Sequence, residues 1–385
     1  MCVLMVLGML TAGTPAGEAA PKAARPQEKD AGPKQSEKTD EKAEQAVSAV
    51  DAKAIAAARG RGLAWLGKHQ AKDGSWGKTY TVAVTSFACL SYLSASDEPF
   101  AGDDGKVLTA GLEYLMKAHT DGQFPSQGHS WIHGQGFAAL ALAEAYGRTL
   151  FCKTQPDLDR KKLKATVAAA VKVIAVNQST SGGWWYTPGS RNQHEGSTTV
   201  CAVQAMVAAQ NFGIEIDEDV LDKGFAYLKK CQNNDGGFDY MLNESKTNTS
   251  MKEGTAGDVA TLALMKKFDF EVMIDAYEFL VKLTPQAITK ERFPYYGHFY
   301  GCMGMKLLGQ EMKSYRQKTD AYIAGAHKDI LSWQTKDGSW PVTGWVKANN
   351  QEGEDYATAF ATLLLSVPDG RLSIFHRTPP KLPKA

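Results

Sequence analysis

From Asp51 onward the chain alternates two kinds of apolar pattern. Stretches at about 52–69, 105–118, 158–177, 218–231, 272–283 and 319–334 put apolar residues at helical spacing and keep Lys, Asp and Glu on one side, as Ile55, Leu63 and Leu66 do in the first. Between them lie Thr81 to Ser94, Ile132 to Tyr146, Ser197 to Gln210, Gly254 to Lys266, Gly297 to Leu308 and Asp355 to Leu365, built of small and apolar residues on several faces. A helix that is apolar all round is buried. The pattern therefore predicts outer helices alternating with inner ones.

Each outer stretch runs into its inner partner through a recurring turn. Arg61-Gly62-Leu63-Ala64-Trp65-Leu66 leads to Gln70, Asp73, Gly74 and Trp76, and this layout returns as Gln178, Gly182 and Trp184, as Gln232, Asp235, Gly236 and Phe238, and as Gln334, Asp337, Gly338 and Trp340. A weaker copy, His119, Gly122 and Phe124, has His in place of Gln. In the fifth, Thr284 stands where Gln is expected and Pro285 to Arg292 precedes Phe293-Pro294. Six such turns imply six helix pairs, and stacked pairs can close a ring. The expected fold is all-α, an α/α6 toroid over residues 51–372. A Gln at this position is suited to donate to exposed backbone groups at a neighbouring helix end, with the Trp stacked on its amide, while the glycine lets the chain reverse.

Composition narrows the partners. With 43% hydrophobic and 22% charged residues the chain is of ordinary globular type, and a formal net charge of +1 gives no reason to expect nucleic acid or an anionic surface. Val3 to Leu10 is a short apolar run with Gly17 and Ala19 placed as for signal-peptidase cleavage, so residues 1–19 read as a signal peptide and the protein as secreted or periplasmic. No transmembrane segment is expected, since that run is too short. Residues 20–50, rich in Ala, Lys, Glu and Pro, cannot bury enough surface to offset their ordering entropy and read as a disordered tether. Residues 373–385, with Pro379, Pro380 and Pro383, read as a non-helical tail. Beyond Cys2, the cysteines Cys89, Cys152, Cys201, Cys231 and Cys302 suggest neither a disulfide framework nor a zinc ribbon.

The stretch from Arg61-Gly62 through Gln70 to Gly74-Ser75-Trp76 resembles the QW motif of the terpenoid cyclase and protein prenyltransferase superfamily, which includes squalene-hopene cyclases. The resemblance covers about residues 55–372. It implies a six-hairpin toroid with parallel inner helices around a central cavity, in a superfamily of isoprenoid cyclases, lipid transferases and thioester domains. The cyclase Asp-x-Asp-Asp motif is not matched: Thr255-Ala256-Gly257-Asp258 keeps one carboxylate. The prenyltransferase zinc ligands are not matched either, since Tyr300-Gly301-Cys302 and Ala357 stand in the corresponding places. No cofactor and no metal are expected.

In a closed ring the starts of the inner helices share one mouth. That mouth would gather His129, His133, His194, Glu195, Glu253, Asp258, Tyr296, His298, Tyr300, Cys302, Glu354 and Asp355, with Trp131, Trp185, Tyr186, Tyr295 and Trp345 as aromatic neighbours. Helix dipoles there favour an anionic or electron-rich ligand. Glu195, Glu253 and Asp355 equally suit helix caps, and each lone histidine suits a satisfied structural role. The leading expectation is an exported toroid whose cavity binds a ligand or a protein partner. Two alternatives remain: an enzyme on an isoprenoid lipid with Asp258 or Glu253 as acid, and a carbohydrate-active toroid in which Glu253 and Asp355 flank a glycosidic bond.

Overall fold

The computed structural model describes residues 51–243, 250–266, 268–283, 285–343 and 353–383. The expected signal peptide, the tether and Trp345 lie outside the described residues. Thirteen α-helices follow one another, with no strand among the described residues. The outer helices are α1 (Ala52–His69), α3 (Gly102–Lys117), α5 (Arg160–Val176), α7 (Glu218–Lys230), α9 (Phe270–Lys282) and α12 (Arg316–Trp333). The inner ones are α2 (Thr81–Ala95), α4 (Trp131–Phe151), α6 (Gly196–Asn211), α8 (Lys252–Leu262), α11 (Pro294–Glu311) and α13 (Gly353–Leu365). A short α10 (Pro285–Thr289) fills the degraded fifth turn, where the sequence suggests only an insert.

Inner helices pack in the order α2, α4, α6, α8, α11, α13 and back to α2, so the ring closes. Their residues are buried on every face, whereas α7 and α9 keep one exposed flank. No described helix is long and apolar enough to cross a membrane.

The repeated Gln is the joint between neighbouring pairs. The Nε2 of Gln70 donates to Gly74 O and to Val107 O in α3, both at 2.9 Å. Gln178 repeats this with Gly182 and Val220, and Gln232 with Gly236 and Val272. Gln334 donates to Gly338 O and to Ala58 O in α1. Each bond thus satisfies a backbone carbonyl of the next outer helix. The Trp does something other than the expected stacking: its indole N–H donates to an outer-helix carbonyl, Trp76 to Leu66, Trp184 to Ile174 and Trp340 to Ile330. The far edge of the ring then lies over a glycine of the next outer helix. A Cβ placed on Gly111 would sit 2.9 Å from Trp76, and one on Gly62 would sit 2.8 Å from Trp340. Gly74, at φ +92°, lets the turn press on the Ala110 carbonyl.

The expected free tail is in part an element of the core. Ser373–Phe375 forms a 3-10 turn whose Ile374 and Phe375 are buried, because Glu144 near the end of α4 accepts from Ser373 N (2.9 Å), Ser373 Oγ (2.7 Å) and Ile374 N (3.2 Å). Arg377 then donates to the carbonyls of Ala263 and Met265 beyond α8. The segment crosses the C-terminal ends of the inner helices and covers that side of the ring.

Candidate functional site at the inner-helix mouth

Along the axis the ring is filled by aromatic side chains. Phe87 of α2 lies 4.3 Å from Phe137 of α4 and 4.1 Å from Phe360 of α13, and Phe299 of α11 reaches both Phe360 and Phe375. Tyr356 stacks edge-on against Phe360 at 4.8 Å, and Tyr300 against Tyr296 at 4.5 Å. All of these are buried.

At the N-terminal mouth the starts of α6, α8 and α11 leave a cavity with about 20 Å³ open to a water-sized sphere. Glu195, the cap residue of α6, lines it with no exposed surface; its Oε2 accepts from Ser197 N (2.8 Å), and its Oε1 from Ser197 Oγ and Thr198 N, both at 2.7 Å. Burial nevertheless pushes this carboxyl up to about 7, outweighing those hydrogen bonds. Behind it stands a relay of donors: His133 Nε2 lies 3.3 Å from Ser197 Oγ, and His133 Nδ1 is bonded to Ser130 Oγ. Since Ser197 donates onward to Glu195, the Nε2 carries the His133 proton, and burial holds the ring neutral by lowering its pKa to about 3.

Asp258 faces Glu195 from the second turn of α8. Its carboxyl packs against Gly196, where a Cβ would lie 3.5 Å from Oδ1. The side chain is 2% exposed, and Oδ1 has no hydrogen-bond partner among the described residues. Burial first, and the Glu195 charge second, raise its pKa well above the ordinary carboxylate range. Glu253, also raised by burial, completes the α8 side, and Tyr296 of α11 lays its hydroxyl over Gly257. Across the rim Tyr186 OH and Tyr240 OH are 2.6 Å apart, and Trp185 stands half-buried against Tyr186.

Other expected members point elsewhere. His194 turns outward and meets Tyr227 OH of α7 at 3.0 Å. His298 bonds Thr289 Oγ1 of α10 at 3.1 Å and packs on Trp333, and Tyr295 donates to Pro341 O. Asp355 accepts from Gly77 N at 3.1 Å and so fastens α13 to the first turn. It sits on α13, separated from α8 by α11, so the pairing of Glu253 with Asp355 expected for a glycan site is not formed. Tyr300 belongs to the axial cluster, Trp131 is buried with its backbone N–H donating to Tyr186 O, and His129 and Glu354 are exposed. Cys302 is buried and burial raises its thiol, so with Ala357 offering no donor these positions do not fit a zinc ion. Among the described residues no three His, Cys, Asp or Glu side chains are placed to hold a metal.

No protein-family profile matches the chain, and no curated protein sequence does. Solved structures do match. The apo form of the type II terpene cyclase MstE from Scytonema aligns with a TM-score of 0.52 at 16% identity, covering 83% of this chain and all of that one. The fold is that of a type II terpene cyclase. Variants of MstE bound to geranylgeranyl dihydroxybenzoate, its substrate, and to merosterolic acid A, its product, align with TM-scores of 0.52 and 0.54, again at 16% identity, covering 82% and 83% of this chain and 96% and 98% of theirs. Within this terpene cyclase fold the present chain sets at the mouth Asp258, whose Oδ1 has no hydrogen-bond partner among the described residues, and packs its axis with rings.

Proposed function

We propose that this protein binds an isoprenoid-type lipid at the N-terminal mouth of its inner helices, with the Asp258 carboxyl meeting the polar end of the ligand. The observation that carries the reading is Asp258 Oδ1, shut from solvent, without a partner and set at the mouth cavity. The terpene cyclase fold supports the ligand class, since MstE is seen with a geranylgeranyl substrate. Half-buried Trp185 and Tyr240 and exposed Met241 offer an apolar rim for the chain of such a lipid. Binding is favoured over cyclisation because Phe87, Phe137, Phe299 and Phe360 occupy the axis that a folded polyene would need. A second reading, a cyclase with Asp258 as proton donor, draws on one observation: burial raises the pKa of this carboxyl well above the ordinary carboxylate range, which favours the form a general acid requires. The leader-like segment from Val3 to Leu10 supports export, which sequencing of the mature N-terminus tests.

Native mass spectrometry of the purified full chain, with solvent extraction of what it carries, tests the main reading. An isoprenoid retained by the wild type and lost from Asp258→Ala is expected; an empty protein that takes up no geranylgeraniol overturns it. A cyclised product formed from geranylgeraniol by the wild type and not by Asp258→Asn moves the assignment to the cyclase.

A further inference from the structure

The charge and size of the mouth bear on which polar group it receives. Among the described residues four carboxyl side chains line it, Glu195, Asp239, Glu253 and Asp258, and no lysine or arginine does. The N-terminal ends of α6 and α8 would by themselves attract an anion, but Glu195 already accepts from the first free N–H groups of α6 and so occupies the place an anion would take there. Size narrows the choice: about 20 Å³ is room for one water-sized group, which suits an ammonium better than a bulkier phosphate or carboxylate. A metal ion is disfavoured because no three ligating side chains converge among the described residues. What remains is a small cation that donates hydrogen bonds.

We propose that the mouth is a seat for a primary ammonium group, so that the ligand is an isoprenoid-type amine whose N–H groups meet the Asp258 carboxyl while Glu195 and Glu253 supply the opposing charge; this rests on the lipid-binding reading of the same site. Without a cation, burial raises the pKa of both carboxyls, and the Glu195 charge adds to the rise at Asp258. An ammonium beside them lowers both, so it binds with release of protons. The groups facing Asp258 are Glu195 on α6, with Ser197 and His133 behind it, Asp239 and Tyr240 on the fourth turn, Glu253 on α8 and Tyr296 on α11; Lys252, Glu291 and Arg292 lie beyond Glu253. Deprotonation of Asp258 and Glu195 governs the pH response, since the amine stays charged throughout.

Titration calorimetry on the full chain with geranylgeranylamine, its N-trimethyl derivative and geranylgeraniol tests this. Between pH 5 and pH 8 the affinity for the amine should rise at least about tenfold, while that for the alcohol stays flat. At pH 8 the amine should bind at least about tenfold more tightly than the alcohol, and the trimethyl derivative, too large for the cavity, should lose that advantage. Asp258→Asn, with its melting temperature checked, should bring amine and alcohol to within about twofold; if it does not fold, Glu253→Gln should narrow the same gap. Equal binding of amine and alcohol by the wild type, or an unchanged preference in the folded variant, overturns the ammonium seat and leaves the lipid reading standing. Failure of every probe to bind removes both.

Discussion

The side-chain amide of Gln334 donates to the carbonyl of Ala58 at 2.8 Å, joining the sixth turn to the first helix across 276 positions of chain. The same Gln accepts from Arg61, and Arg59 reaches Asp369 at 2.6 Å nearby, so a small polar cluster seals the ring. We expect Gln334→Ala to destabilise by about 1–3 kcal/mol, because the Ala58 and Gly338 carbonyls lose their donor in half-buried surroundings. Urea unfolding measures this, and an unchanged midpoint would show that the seam is held elsewhere.

The second repeat keeps the joint by exchanging its owner. His119 stands where Gln is expected, and it only accepts from Gly122 N. The missing bonds come from Gln135 of α4, whose Nε2 donates to Gly122 O (2.8 Å) and Ala170 O (3.0 Å) and whose Oε1 accepts from Phe124 N. In repeats one, three, four and six a threonine, Thr85, Thr199, Thr255 or Thr358, accepts from the backbone N–H of that aromatic residue. Gln135→Thr should therefore cost about 2 kcal/mol, and adding His119→Gln should restore about half of it. Additive effects in that double-mutant cycle would refute the exchange.

Trp76 is 1% exposed and its ring fills the space left by Gly111. Trp76→Ala should destabilise by about 3–5 kcal/mol. Gly111→Ala, which forces a methyl to within 2.9 Å of the ring and 2.8 Å of Cys89 Sγ, should cost about 1–3 kcal/mol by overcrowding. Denaturant midpoints for the two variants test both, and a loss below about 1 kcal/mol for Trp76→Ala would contradict the seating of the indole.

Glu144 ties the C-terminal turn to the ring, and burial pushes its carboxyl up to about 7. A folded pKa above the ordinary glutamate value of 4.5 means that the folded state holds the extra proton. The corresponding stability is fully present below pH 4.5, falls as pH rises through 7, and then levels off. The size of that change is about 2–4 kcal/mol. Tryptic cleavage at Arg377 should accelerate between pH 5 and pH 8, and Glu144→Gln should flatten that dependence; a pH-independent cleavage ratio for the wild type would refute it.

The alternation of charged and uncharged helical stretches made the six pairs legible, and helix ends such as Ala52 and His69 fall where the pattern places them. Which way a residue points on an all-apolar helix was not legible. His194, just before the cap of α6, and His298, in the first turns of α11, sit near helix starts like Glu195, yet their side chains reach Tyr227 and Thr289 of other elements. Gln135 escaped notice because its role passed from a turn to an inner helix, so no position in the repeat marks it. The burial of Phe375 was equally hidden, since the partner that fixes its turn, Glu144, lies 229 positions before Ser373.

The seam at Gln334 and Ala58 also sets the order in which the molecule can assemble. In an open array each hairpin needs only its neighbours, but here the first helix has one flank that only the last hairpin can cover. A chain emerging from the ribosome would carry that uncovered strip until the sixth pair is made, and the loop to be closed is nearly the whole ring. Completion of folding is therefore a late, long-range event. Nascent chains truncated before Trp340 should be open arcs, sensitive to proteases and prone to pairing with one another along the strip that α12 and α13 would have closed.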